Sequence, residues 1–460
     1  MRFLFTTLQF QESEFYARVG AELQRRGHDV EHVTFSRRSA RALGARCLAD
    51  ELAAVDDGTD WAAEGRRIVA EYEIPTLRDV YKTDWPVDAT DEAAAVERTV
   101  RHFLALERIF DELRPDVVVP EVGSETMRTA THVIGLRRGI GVLFLFYTLF
   151  ERPLRLYRDT MHAPIVAASE LRDLPAAERA HVEAFIAEFT ARDTPIRAYR
   201  EARVNATTLR DFARHIAVSL RDDRDNEYLQ PRRFVTNYVR ERARATAARR
   251  LYRPRRPGRP FVYFPLHVVD DYKILRVIPH TYDQASLIEQ VAGALPHGYD
   301  IVLKEHPMSI GRNRLALLRR LARIPNARLV EPRTSSHELM RAAAAVVVIS
   351  STVGLEALLH GRPVLTLGQP FYAGYGVTLD VDSFSEIRAA VPAILAFEPD
   401  RERTLRFLAA AMRACWPGKP VLVDRSDANA RELAASLDAA ARGEAPPPLV
   451  PVAPAAATPA

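Results

Sequence analysis

Two short stretches hold the residue types best suited to chemistry. In the first, the apolar run Ile301-Val302-Leu303 ends in Lys304-Glu305-His306-Pro307. Proline stops a strand's hydrogen-bond ladder and fixes its own φ, so His306 is held at a strand end. An imidazole there can donate to a phosphate oxygen. As imidazolium it can also offset the charge that a departing nucleotide acquires. Lys304 or Glu305 can point into the same crevice; a surface turn with solvated charges is the plain alternative.

The second stretch runs from Val346-Val347-Val348-Ile349-Ser350 through Ser351-Thr352-Val353-Gly354 into Leu355-Glu356-Ala357. It reads as strand, polar turn and helix. Ser351 or Thr352 falls at the N-cap, and hydroxyls beside free helical N–H groups make an anion site. Gly354 permits close approach of a ligand or of neighbouring backbone. Glu356 lies four residues after Thr352, on the same helix face, where a carboxylate can accept from ribose hydroxyls. Either stretch alone also fits ordinary turn chemistry, a solvated turn in the first and a simple N-cap with a surface Glu356 in the second. Both at strand ends of one sheet point to a phosphate site.

Other strand ends supply further candidates. His267 follows Phe264-Pro265-Leu266. The loop Gln369-Pro370-Phe371-Tyr372-Ala373-Gly374 follows Val364–Gly368 and can close over a base or sugar, with Tyr372 in it. In the first half, Asp116–Pro120 ends at Glu121, with Glu125 four residues on. Sugar transfer with inversion needs a base to take the acceptor hydroxyl's proton. Glu121 is the first candidate, Glu125 the second, then Glu14 and Glu12; the alternative is that Glu121 caps its helix. Asp270, Asp271 and His280 resemble metal ligands only by type, in a spacing that fits no familiar site, so no metal is expected. Gly-x-Gly-x-x-Gly, Walker A and Gly-x-Ser-x-Gly patterns are missing, which argues against dehydrogenases, P-loop enzymes and α/β-hydrolases.

These positions need a scaffold that presents strand ends to a cleft. Arg2–Thr6, a helix over 12–26 and Asp29–Thr34 make one βαβ unit. Segment 40–112 reads as mainly helical. Asp116–Pro120, a helix over 124–138 and Gly141–Phe146 continue the series. A second series has strands at Phe261–Phe264, Ile301–Lys304, Arg328–Val330, Val346–Ser350 and Val364–Leu367, with helices over 283–294, 312–323, 336–343 and 353–360 between them. Apolar strands alternating with helices imply parallel sheets covered on both faces. The fold class is therefore α/β, with two doubly wound Rossmann-like domains facing a cleft. Domain one spans 1–160. A helical insert or connector with a Pro/Arg linker spans 161–255, and the second domain 256–400. Helices over 401–442 and a disordered Pro/Ala tail over 443–460 complete the chain.

The 460 residues suit two domains, and 47% hydrophobic with 27% charged residues is an ordinary globular balance. Cys47 and Cys415 cannot build a disulfide framework. With no signal-peptide pattern and no long apolar window, a cytoplasmic protein is expected. The net charge of +4 comes mostly from arginine. It suits anionic substrates or peripheral association with an anionic inner-membrane face through the Arg-rich 165–250 region. Nucleic acid is not expected, because no basic stripe is interleaved with aromatics.

Along 260–380 the chain resembles the capsule polysaccharide biosynthesis family, which includes the β-Kdo transferases of capsule assembly. The resemblance rests on Phe264–His267, Asp283-Gln284, Leu295-Pro296, Lys304–Pro307, Ser350–Ala357, Gly361–Val364 and Gly368–Tyr372, in that order and spacing. It implies a metal-independent glycosyltransferase of the two-Rossmann GT-B type, working in the cytoplasm from a nucleotide sugar onto a lipid-linked or polysaccharide acceptor. His306 then matches the family's His-Pro motif, which is similar to that of bacterial sialyltransferases and contacts the nucleotide phosphate. Ser351 and Thr352 match the companion motif. The His-Pro motif favours a CMP-linked donor, Kdo or another sugar, with no separate cofactor. A teichoic-acid-type polyol-phosphate transferase, a sugar-nucleotide 2-epimerase and a non-catalytic assembly protein of the same fold are the alternatives.

Overall fold

Strand residues here are apolar on both faces, and the tertiary structure explains why. The computed structural model describes residues 1–88, 90–162, 166–192, 210, 213, 216, 217, 221, 226–228 and 231–450. Among them, twelve strands form two six-stranded sheets. The first contains β1 (Arg2–Thr7), β2 (Asp29–Thr34), β3 (Arg46–Cys47), β4 (Val117–Pro120), β5 (Gly141–Tyr147) and β6 (Leu154–Arg158), in the order β3-β2-β1-β4-β5-β6. The second contains β7 (Phe261–Pro265), β8 (Asp300–Lys304), β9 (Ala327–Val330), β10 (Ala345–Val348), β11 (Val364–Thr366) and β12 (Leu379–Asp380), in the order β12-β11-β10-β7-β8-β9. The pairings are parallel except that of β5 with β6.

Alternate residues of each sheet feed opposite cores. Leu4, Val33 and Val118 join one cluster, whereas Phe3, Phe5, Val117 and Val119 join another. In the second sheet Val262, Phe264, Ile301 and Leu303 pack on one face, and Phe261, Tyr263, Val302 and Val346 on the other. Helices cover both faces, which is the two-Rossmann GT-B architecture.

The connections tie the halves together. Val166, Val182, Phe185 and Phe189, the last three on the helix Ala176–Ala191, lie in the core of the second half beside Leu355 and Phe407. The helix Asp427–Ala441 returns to the first sheet, where Leu433 and Leu437 pack with Phe3 and Phe5. His28 Nε2 meets Asp438 at 2.8 Å on that seam. Of the Pro/Ala-rich stretch from 443, Leu449 packs against the second half's core and the Pro447 carbonyl accepts from Arg152. Residues 451–460, like most of the Arg-rich stretch over 193–230, lie outside the described residues. Among the described residues no helix is long and apolar enough to cross a membrane.

The sequence reading lacks the short edge strands β3 and β12, the antiparallel strand β6 and a π-helical turn Lys273–Val277. β10 also stops at Val348 rather than Ser350. Beyond Val348 the ladder to β11 ends, and the Ser350 N–H turns to His267 Nε2 at 3.2 Å.

Candidate functional site

In each sheet the winding direction reverses between two neighbouring strands, and open α/β sheets bind ligands at such switch points. In the second sheet the switch lies between β7 and β10. His267 follows β7 and Ser350 follows β10, so the His267–Ser350 hydrogen bond spans the crevice.

A cavity of about 440 Å³ opens there, within the size range of small-molecule sites. Its floor is Ser350-Ser351-Thr352 at the N-terminus of the helix Thr352–Leu359. The Ser351 hydroxyl accepts from Val353 N–H at 3.2 Å, the N-cap bond. Lys273 extends its ammonium to the Ser350 carbonyl at 3.5 Å. The loop Gly368–Gly374 forms one wall. The opposite wall belongs to the first half: Phe146 at the end of β5, and Arg155 and Tyr157 on β6. The cavity therefore lies between the two domains.

Of the binding residues expected from sequence, Ser350, Ser351, Thr352 and Tyr372 line this cavity, together with the rest of the loop 369–374. Tyr372 is fully buried, and its hydroxyl donates to the Ser351 carbonyl. Gly354 serves that contact rather than a ligand, since a Cβ there would collide with the Tyr372 hydroxyl.

His267, Lys304, His306 and Glu356 lie beside the cavity rather than on its wall. Side-chain alternation sends Lys304 and Glu305 to opposite sides. Lys304 donates to the Ser336 hydroxyl. Burial lowers its pKa to about 8, partly opposed by the Glu356 charge. Burial lifts the Glu356 carboxyl to about 7, against the pull of Lys304. Glu305 points away from the crevice, accepting from Asn313 at 2.6 Å and from Tyr252.

His306 is half-buried and caps the short turn Pro307–Ser309. Its Nδ1 accepts from Met308 N–H at 3.1 Å, which leaves the proton on Nε2. Burial and the Lys304 charge lower its pKa, against the pull of Asp271. Of the two roles the sequence offers, these influences favour the imidazole that donates a hydrogen bond over the imidazolium that supplies charge, since burial and a neighbouring lysine both penalise the charged form. His267 is likewise lowered to about 4 by burial. Pro307 is exposed at the start of that turn.

Glu121 occupies the switch point of the first sheet, between β1 and β4. It is 5% exposed, is not on the cavity wall, and accepts from the Tyr16 hydroxyl. It therefore does not cap its helix. Glu125 holds the N-cap position of the helix Thr126–Arg137, with no side-chain cap bond, and pairs instead with Arg128 at 3.1 Å. Arg128 also pairs with Glu12 at 2.6 Å. Burial and the neighbouring Glu12 charge raise Glu121 to about 7. Tyr272, on the cavity wall, is near enough to feel the Glu121 charge. Glu14 is exposed.

Arg276 joins the halves, donating to the Gly123 carbonyl at 3.1 Å and to His132 Nδ1 at 3.0 Å. Asp270 is taken by Arg312, and His280 lines the cavity near Phe384. No group of three or more metal-suited side chains occurs among the described residues.

Arg155, Tyr272 and Lys273 were missed from sequence. A signal existed for the first: Leu154-Arg155-Leu156-Tyr157 alternates, which places Arg155 and Tyr157 on one face. Lys273 and Tyr272 carried none, because a π-helical turn has no sequence signature of this kind.

Fold and site thus define a two-Rossmann-domain protein with an anion-suited cavity at the domain junction. The profile of the family described as "Capsule polysaccharide biosynthesis protein" matches residues 160–396, just over half of the chain. The chain belongs to that family. The match starts about a hundred residues before the motif run, in keeping with the packing of Val166–Phe189 into the second half's core. Protein FixF of Sinorhizobium fredii is 31% identical over 154 residues, 33% of this chain and 36% of that protein. The capsule polysaccharide modification protein LipA of Neisseria meningitidis serogroup A is 30% identical over 123 residues, 26% of this chain and 17% of that protein. The aligned parts are about a third of FixF and a sixth of LipA. Among solved structures, Thermosulfurimonas dismutans KpsC, a β-Kdo 2,7-transferase, aligns over 74% of this chain and 94% of its own, at 17% identity and a TM-score of 0.34. S. aureus MnaA with UDP aligns over 97% and 99%, at 10% identity and a TM-score of 0.32.

Proposed function

We propose that the protein is a glycosyltransferase of capsule or surface polysaccharide biosynthesis. It moves a sugar from a nucleotide donor, CMP-linked Kdo or a related sugar, to a lipid-linked or polysaccharide acceptor, without a metal. One observation carries this reading: a family member places the N-terminus of the helix Thr352–Leu359, its Ser351 cap and Lys273 on the floor of an interdomain cavity. Helical N–H groups and a lysine stabilise phosphate and the charge that develops on a leaving nucleotide.

In this reading Ser350, Ser351 and Thr352 take the phosphate. The neutral His306 donates from Nε2 to the leaving group. Lys304 and Glu356 hold the ribose side, and Tyr372 fixes the Ser351 turn. Glu121 takes the acceptor proton, because its carboxyl is poised near neutral pH, whereas Glu125 is neutralised by Arg128. We place the reaction in the cytoplasm, peripheral to the inner membrane; both cysteines are buried and free, as suits a reducing compartment.

Thermal-shift titration with CMP, CDP and UDP tests the nucleotide claim. Ligand at a hundred times its dissociation constant adds about 2.7 kcal/mol of stability. A melting temperature unmoved by all three overturns the reading. Binding to anionic liposomes that fades as salt rises tests the membrane claim.

A further inference from the structure

Arg155 is placed as few arginines are. It lies on β6 and is only 4% exposed. Its guanidinium sits 4.0 Å from the Phe371 ring centroid and 5.4 Å from those of Phe146 and Tyr157. Phe146 is its cross-strand partner, and Phe371 belongs to the loop of the opposite domain. Nη1 donates to the Tyr157 hydroxyl at 2.9 Å, while Nε is buried without a partner. Among the described residues Arg155 forms no ion pair with a carboxylate.

Aromatic faces attract a guanidinium, but they do not replace the water stripped from its N–H groups. A structural arginine at this depth ordinarily has a carboxylate fork or several carbonyls. Here the side chain that carries the unsatisfied donor lines a cavity. Across that cavity stands Lys273, near enough that the Arg155 charge lowers its pKa. Lys273 in turn touches the Ser350 carbonyl, beside the helix terminus that suits the first phosphate.

We propose that Arg155 and Lys273 form an anion subsite for a second negatively charged group of the ligand, beyond the group held at Ser351-Thr352. This rests on the nucleotide-sugar reading and deepens it. Two donor chemistries carry two such charges: a neutral sugar on a nucleoside diphosphate, and an acidic sugar on a nucleoside monophosphate. Because the two cations come from different domains, the second anion also clamps the halves together.

Full-length Arg155→Met keeps the apolar stem and removes the charge. Calorimetry compares it with wild type on UMP against UDP, and on CMP against a CMP-linked sialic acid. A loss of at least tenfold for UDP with UMP unchanged assigns the subsite to the second phosphate. The same loss for the CMP-linked acid with CMP unchanged assigns it to a sugar carboxylate. Equal affinities of variant and wild type for all four overturn the subsite. Pyrophosphate separates this from the nucleotide claim, since it should raise the melting temperature of wild type more than that of the variant even if no nucleotide binds. Without ligand, Arg155→Met should melt at or above the wild-type temperature, because an uncompensated buried charge is removed. A clear fall would make Arg155 a structural residue and overturn the proposal.

Discussion

The two sheets reverse their winding at equivalent places and end in opposite ways. In the second sheet the switch between β7 and β10 opens into the cavity, with hydroxyls, a helix terminus and Lys273 facing it. In the first sheet the switch between β1 and β4 is closed. Glu121 is bonded to Tyr16, and Arg128 is shared between Glu12 and Glu125. Both switch points bond their polar groups internally, but only the second sets them on the wall of a cavity. A switch point is thus a permission for a site, and the side chains packed around it decide whether one exists.

The largest expected effect probes the open side. His306→Ala should lower turnover about 10²–10³-fold, the range for removing one donor from a developing negative charge, with little change in melting temperature. Turnover near wild type would confine His306 to capping its turn.

Glu121→Gln tests whether the closed side takes part at all. It should lower turnover by about 10²-fold or more while nucleotide affinity stays constant. Since the carboxyl is raised to about 7, it becomes a base only as pH rises through that value. The wild-type rate should therefore climb through pH 7, and the variant should lose that limb. If both profiles have the same shape, the closed switch point is structural.

Next comes a linkage effect at the open side. Glu356 is raised to about 7, so its folded form holds a proton more tightly than the unfolded chain does. The resulting stability is complete below about pH 4.5 and is lost as pH rises through 7. Glu356→Gln cannot lose a proton. Its melting temperature should rise relative to wild type between pH 5 and 8, by the equivalent of about 1–3 kcal/mol. A constant difference across that range would remove Glu356 from the buried pair with Lys304.

The smallest effect concerns Gly354. An added methyl meets the Tyr372 hydroxyl, so Gly354→Ala should destabilise by about 1–3 kcal/mol in denaturant unfolding. It should weaken nucleotide binding only through the displaced Ser351 turn. Unchanged stability would show that Tyr372 can move aside.

The sequence by itself determined the central parallel strands of both sheets, the residues at their ends and the resemblance to the family. A buried parallel strand must be a continuous apolar run, and the polar residue that ends it must lie at the sheet's carboxyl edge. That is why Ser350–Thr352 and Lys304–Pro307 were legible, and why residue types narrowed the N-cap to Ser351 or Thr352, between which the structure chose Ser351. Tertiary structure alone decided the rest. The His306 pKa is lowered first by its burial and then by the charge of Lys304, two residues away. Gly354 answers to Tyr372, eighteen positions along the chain. Arg155 faces the cavity because an antiparallel strand from one domain meets a loop of the other. Such contacts join residues with no fixed spacing, so local patterns cannot encode them. Only the packing of the two halves brings those charges to the same space.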